Sequence, residues 1–116
     1  MTAMSECCFG VEQRTDGSIV VAAQTDADVS IERFAPGRAE SAAVVQFVQQ
    51  RSRAPRVCVA ATGERSLGLA LAFGQLPEAE VILIRPAALP RRSETTASSS
   101  GEGVAVALAR YARRAA

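Results

Sequence analysis

The sequence contains no histidine and no lysine; all thirteen of its basic residues are arginine. Without histidine there is no Ser-His-Asp triad, no imidazole proton shuttle and no His-ligated zinc. Without lysine there is no Schiff-base chemistry and no phosphate loop of the Walker type. Tryptophan is missing too, and four phenylalanines and one tyrosine leave little material for a surface on which bases could stack. Cysteine is sparse and odd in number: Cys7 and Cys8 are adjacent, and Cys58 sits inside an apolar run. Adjacent cysteines rarely bridge each other, and a third cannot complete a framework. The expectation is reduced thiols packed as small hydrophobes in a cytoplasmic protein. A site of three thiolates for a metal is the competing reading. No run approaches the unbroken apolar length of a membrane span and the first residues lack a signal-peptide pattern, so no membrane partner is expected.

What is present has the make-up of one globular domain spanning residues 1–116. The chain weighs 12.1 kDa, with 48% hydrophobic and 22% charged residues, and leaves no room for a second catalytic domain. Thirteen basic against twelve acidic side chains give a net charge of +1, so no global field draws in nucleic acid.

Hydrophobic periodicity divides the chain into eight elements. Residues 7–12 alternate partly, with Phe9 and Val11 facing one way, and the polar stretch 13–17 ends in the turn signal Asp16-Gly17. Residues 18–23 form a β-branched run, 25–28 a second polar turn, and 29–34 a third strand. The three make an antiparallel meander. From 38 to 51 the period becomes helical, with Ala43, Val44, Phe47 and Val48 on one face. The run 57–61 is continuously small and apolar, as in a strand covered on both faces. Thr62 is placed to cap a helix over 64–76, with Leu67, Ala70, Leu71 and Gly74 inward. Residues 81–84 read as a second buried strand, and 86–100 as a mobile loop carrying the Ser/Thr-rich run 93–100. The stretch 102–116 closes the chain as a helix with Val104, Leu108, Tyr111 and Ala112 on its inner side. The succession βββαβαβα predicts an α/β fold of the ribonuclease-H-like kind: a mixed five-stranded sheet, its first three strands antiparallel, with helices on its faces.

Four segments in order carry a more specific likeness: Phe9-Gly10-Val11-Glu12, Val57-Cys58-Val59-Ala60-Ala61-Thr62-Gly63, Val81-Ile82-Leu83-Ile84-Arg85-Pro86 and Ala107-Leu108-Ala109-Arg110-Tyr111-Ala112. Over residues 9–112 the chain resembles the RuvC-like N-terminal domain of the DEDD insertion-sequence transposases, enzymes of bacterial mobile elements. That resemblance implies four carboxylates holding divalent metal, which activate water and stabilise a leaving phosphate oxygen. It assigns them to Glu12, Ala60, Gly101 and Val104, with the family's lysine at Ser99. Only Glu12 keeps an oxygen ligand. The expectation is therefore a transposase-like domain without catalytic residues or cofactor, working as a binding or assembly module for a protein partner or its own copy.

Other readings stay open. Glu12, Glu64 and Glu102 fall near the places from which site carboxylates would project, which would make a shifted metal site of a nuclease or recombinase remnant. Glutamates at helix starts are otherwise stabilised by the helix dipole, and Glu12 reads as a strand-edge or partner-facing residue. Arg85, Arg91 and Arg92 flank the fifth strand's loop, and Arg110, Arg113 and Arg114 decorate the last helix. Were they to meet, they could grip phosphates of a nucleic acid; as a solvated helix end they need not. Ser30, Glu32 and Arg33 mark the third strand as an edge for pairing with another chain. The same topology also occurs as a half-lobe of actin-like proteins of pilus or secretion assembly.

Overall fold

The computed structural model describes residues 8–14, 16–25, 28–35, 40–61, 63–85 and 103–114. Two polar turns fold the first third back on itself. Strands β1 (Cys8–Gln13) and β2 (Ile19–Gln24) pair antiparallel, with Phe9 opposite Ala23 and Glu12 opposite Val20. In the turn between them, the Asp16 carboxylate accepts hydrogen bonds from the Ser18 amide at 2.9 Å and the Ser18 hydroxyl at 2.6 Å. Gly17 follows at φ 93°, a conformation open to glycine without steric penalty. Strand β3 (Val29–Phe34) adds antiparallel to β2 after a second turn, where the Thr25 amide donates to the Asp28 carbonyl at 2.9 Å.

The remaining elements alternate: α1 (Glu40–Arg51), β4 (Arg56–Ala60), α2 (Glu64–Gly74), β5 (Glu80–Ile84) and α3 (Gly103–Arg114). Sheet order is β3-β2-β1-β4-β5, with β4 parallel to β1 and β5 parallel to β4. This is the ribonuclease-H-like arrangement that the element succession predicts. Among the described residues, no helix is long and apolar enough to cross a membrane.

The period-2 alternation of the strands sorts the core into two layers. One face of the sheet offers Phe9, Val11, Ile19, Val21, Val57 and Val59 to α1 and α2, which answer with Val44, Val48, Leu69 and Phe73. The opposite face offers Cys8, Val20, Ala22, Cys58 and Ala60 to α3, which answers with Ala105, Leu108, Ala109 and Ala112. An edge-to-face contact between Phe34 and Phe47, centroids 5.7 Å apart, ties α1 to β3. Cys8 and Cys58 are both buried, and burial pushes the Cys58 thiol up to about 12.

Several sequence expectations need correction. Helix α2 buries Ser66, Leu69, Ala70 and Phe73, while Leu67, Leu71 and Gly74 of the expected inner face are exposed. The segment is apolar on nearly every side, so its periodicity does not choose a phase. Phe73, the bulkiest side chain, takes the core position, and Ser66 fits the buried stripe because its hydroxyl donates to the Gly63 carbonyl at 2.7 Å. The N-cap of α2 is Gly63, with no side-chain cap; Thr62 lies outside the described residues. Ala43 of α1 is exposed; the helix packs on the sheet through buried Val44 and Val48, with Val45 and Phe47 partly buried beside them. In α3 the deepest residues are Ala105, Leu108, Ala109 and Ala112, whereas Val104 and Tyr111 are only partly covered. Strand β5 is not buried on both sides: it is the sheet's edge, and Leu83 is 44% exposed. Cys7 and the expected loop over 86–100 fall outside the described residues.

Candidate functional site

In an open α/β sheet, chemistry gathers at the C-terminal ends of the parallel strands. Here that place is where β1 and β4 end side by side. Their register pairs Gly10 with Cys58 and Val11 with Val59, so Glu12 comes next to Ala60. Glu12, Gly10 and Cys8 share the face covered by α3. The helix lies directly on Gly10, where a Cβ would fall onto the Ala105 carbonyl oxygen and the Ala109 nitrogen, and 2.7 Å from Leu108 Cβ. Cys8, two residues before Gly10, belongs to the group of Leu108 and Ala112, so α3 runs opposite to β1 and its first turn reaches the end that holds Glu12. Val104 packs there in the same group as Ala60, Cys58 and Ile84. The structure thus brings together three of the positions that the sequence motifs single out: Glu12, Ala60 and Val104. Gly101, Ser99 and Glu102 lie outside the described residues.

Glu12 sits on the central strand of the sheet, not at an edge as its sequence context suggests. Its side chain is 19% exposed, and Oε1 is buried with no hydrogen-bond partner. The nearest cation is Arg14, whose Nη1 stands 3.8 Å from Oε1. Burial raises the Glu12 carboxyl above its ordinary 4.5, and the Arg14 charge pulls it partly back. A raised acid pKa makes the folded state hold its proton longer than the unfolded chain. The associated stability is complete below pH 4.5 and is lost as pH rises through the folded-state value. Glu12→Gln is therefore expected to raise the melting temperature by a few degrees at neutral pH and to leave it unchanged in acid below that window. Thermal unfolding of both proteins across the pH range measures it.

Among the described residues this corner offers one half-buried carboxylate, beside an alanine and a valine, whereas a hard divalent cation takes several oxygen ligands. Among the described residues, no three His, Cys, Asp or Glu side chains gather in a group that could hold a metal ion. Glu64 is exposed in the first turn of α2, and that helix packs on the face of the sheet opposite α3. The arginines also divide. Arg85 is exposed just past the end of β5, at the same end of the sheet as Glu12. Arg113 lies at the other end, its Nη1 donating to the Thr25 carbonyl at 2.9 Å, and Arg110 is exposed on α3. Arg91, Arg92 and the Arg114 side chain lie outside the described residues. Ser30, Glu32 and Arg33 are exposed on β3, which is one edge of the sheet as expected.

Two features escape the sequence reading. A cleft of about 510 Å³ opens between the C-terminal turns of α1 and α2, lined by Ser52, Arg53, Leu76 and Glu78 among others. It lies at the N-terminal ends of β4 and β5, the end away from Glu12. The other is a set of exposed leucines, Leu67, Leu71 and Leu83, at 50%, 63% and 44% exposure. Their i,i+4 spacing in α2 is visible in the sequence; their exposure is not. Compared with known proteins, the sequence matches no family model and no curated protein.

Proposed function

We propose that this chain is a ribonuclease-H-like domain, akin to the RuvC-like domain of DEDD transposases, that works by binding and makes or breaks no bond. Its partner is a protein or a second copy of itself. The observation that carries this reading is that Ala60 and Val104 belong to one apolar group at the end of β1 and β4 where Glu12 stands. Where the resemblance calls for metal-binding oxygens, two of the neighbours are hydrocarbon, and the one carboxylate left is pushed toward its neutral form. Among the described residues, such a corner lacks what phosphodiester cleavage needs: several converging anions that hold two cations. The sheet edges and outer helix faces remain as the working surfaces.

The test is titration of the protein with Mg²⁺ and Mn²⁺, followed by calorimetry and by the backbone amide shifts of Glu12 and Ala60. No saturable binding at millimolar metal is expected. Saturable binding that disappears in Glu12→Gln overturns the reading in favour of a metal-dependent nuclease or recombinase remnant built on Glu12, Glu64 and Glu102.

A further inference from the structure

The two edges of the sheet differ in kind. Strand β3, the edge that the sequence marks for pairing, exposes Ser30, Glu32 and Arg33, and the two charged residues among them blunt an edge against another strand. Strand β5 reads Glu80-Val81-Ile82-Leu83-Ile84, with every side chain at least partly exposed and no proline or arginine within it. Its backbone directions follow from two hydrogen bonds. The Glu80 amide donates to the Pro55 carbonyl at 2.9 Å, and the Ile84 carbonyl accepts from the Ala61 amide at 2.8 Å. Glu80, Ile82 and Ile84 therefore turn their backbone groups toward β4. By the alternation of a strand, Val81 and Leu83 turn theirs outward, where no other described strand lies.

The side chains beside this edge are apolar as well. Leu83 shares the face of Val59, its register partner in β4, and that face is the one α2 covers. The right-handed crossovers β3-α1-β4 and β4-α2-β5 lay α1 and α2 side by side, with α2 on the β5 side. With Ser66, Leu69, Ala70 and Phe73 turned down, the rotation of a right-handed helix puts Leu67 on the flank of α2 away from α1 and Leu71 higher on that side, toward the outer face. Leu67 and Leu83 thus border one exposed strand edge, with Leu71 above them.

We propose that a second copy of this chain pairs antiparallel on β5 about a two-fold axis through Ile82, joining the two sheets into one; this rests on the binding reading above and names its partner. The register argues for a second copy. A two-fold axis that keeps each face of the sheet continuous pairs residues of like orientation. Centred on Ile82, it sets Val81 opposite Leu83 of the second copy, and Leu83 opposite Val81. Each of those pairs exchanges both its N–H···O=C bonds, so every outward backbone group of both β5 strands is satisfied. Centring on Val81 or Leu83 instead brings Ala79 or Arg85, outside the strand, against the partner.

Charge agrees with this register. Glu80 falls opposite Ile84, and the two Glu80 residues lie about 13 Å apart along the strands, beyond the screening length of about 8 Å in physiological salt. Each Glu80 carboxylate is also held by its own Arg56 at 3.0 Å. Among the described residues of β5, no like charges face each other. One paired strand flanked by two leucine-bearing helices falls in the size class of weak or transient interfaces, about 1,200 Å² or less in total, so the association is sought up to millimolar protein.

Sedimentation across about 1 µM to 1 mM protein tests this, together with amide hydrogen exchange at both ends of the range. The expected result is a species of twice the 12.1 kDa chain mass at high concentration, with the Val81 and Leu83 amides protected only there. Leu83→Lys and Leu71→Glu, both at exposed positions, are expected to weaken association at least tenfold with an unchanged circular dichroism spectrum. A wild-type chain that stays monomeric throughout overturns the proposal. So does a dimer that persists in Leu83→Lys while the Val81 and Leu83 amides exchange freely. Either result removes the self-pairing and leaves the binding reading standing, since that reading fails on the separate metal titration.

Discussion

Gly10→Ala is expected to lift helix α3 off the sheet. The added methyl group would meet the Ala105 carbonyl oxygen and the Ala109 nitrogen, which are backbone atoms of a helix, not the movable end of a side chain. No rotamer change relieves such a clash; the whole helix must shift away from β1. Overpacking a core commonly costs 1–3 kcal/mol, and a clash with helix backbone belongs at or above the upper figure, about 3 kcal/mol. A domain of this size has about 5–15 kcal/mol in all, so the loss is a large share. Because α3 also covers Cys8 and Cys58, the same change is expected to open the Cys58 thiol to alkylation in the folded state. The wild type holds that thiol buried, with a pKa of about 12. Urea unfolding gives the stability change, and peptide mapping after iodoacetamide gives the labelling. A midpoint equal to that of the wild type would show that α3 does not rest on Gly10.

Phe73→Ala is expected to cost about 3–5 kcal/mol, the usual range for emptying a phenylalanine site in a core. Phe73 is fully buried and belongs to the group that includes Phe9, Val57 and Leu69. Leu71→Ala, two residues earlier in the same helix, is expected to change stability by less than about 0.5 kcal/mol in dilute solution, because Leu71 is 63% exposed. The pair of substitutions reads the rotational phase of α2 directly. If the leucine change were the more damaging, the helix would face the sheet with its Leu67 and Leu71 side, the inner face expected from the sequence. Urea denaturation at micromolar protein compares the two.

That reversal shows how a sequence signal can be strong and still ambiguous. In α2 every residue from Leu67 to Phe73 is apolar or glycine, so a count of hydrophobic positions finds a helix but not its buried stripe. In α3 arginines interrupt the apolar residues, and Leu108 and Ala112 fall on the buried side as their spacing predicts. Strand β5 gives the same lesson. Four consecutive large aliphatics resemble a strand covered on both faces, yet whether such a strand is central or marginal depends on what the chain lays beside it.

Local chemistry determined the elements and their order. Asp16-Gly17 sets the first hairpin because only certain side chains close such a turn. The small apolar run through Val57, Cys58 and Val59 forms an interior strand because both its faces shed water, and Gly10 carries no side chain where α3 comes down. Tertiary structure alone decided the phase of α2, the edge position of β5, the place of Glu12 on the central strand with its carboxyl pushed toward the neutral form, and the separation of Arg85 from Arg113 at opposite ends of the sheet. The reason is physical. Propensity and periodicity act between residues within a turn or two of one another, whereas burial, desolvation and the meeting of distant charges depend on which elements lie side by side, and that is fixed only when the sheet assembles.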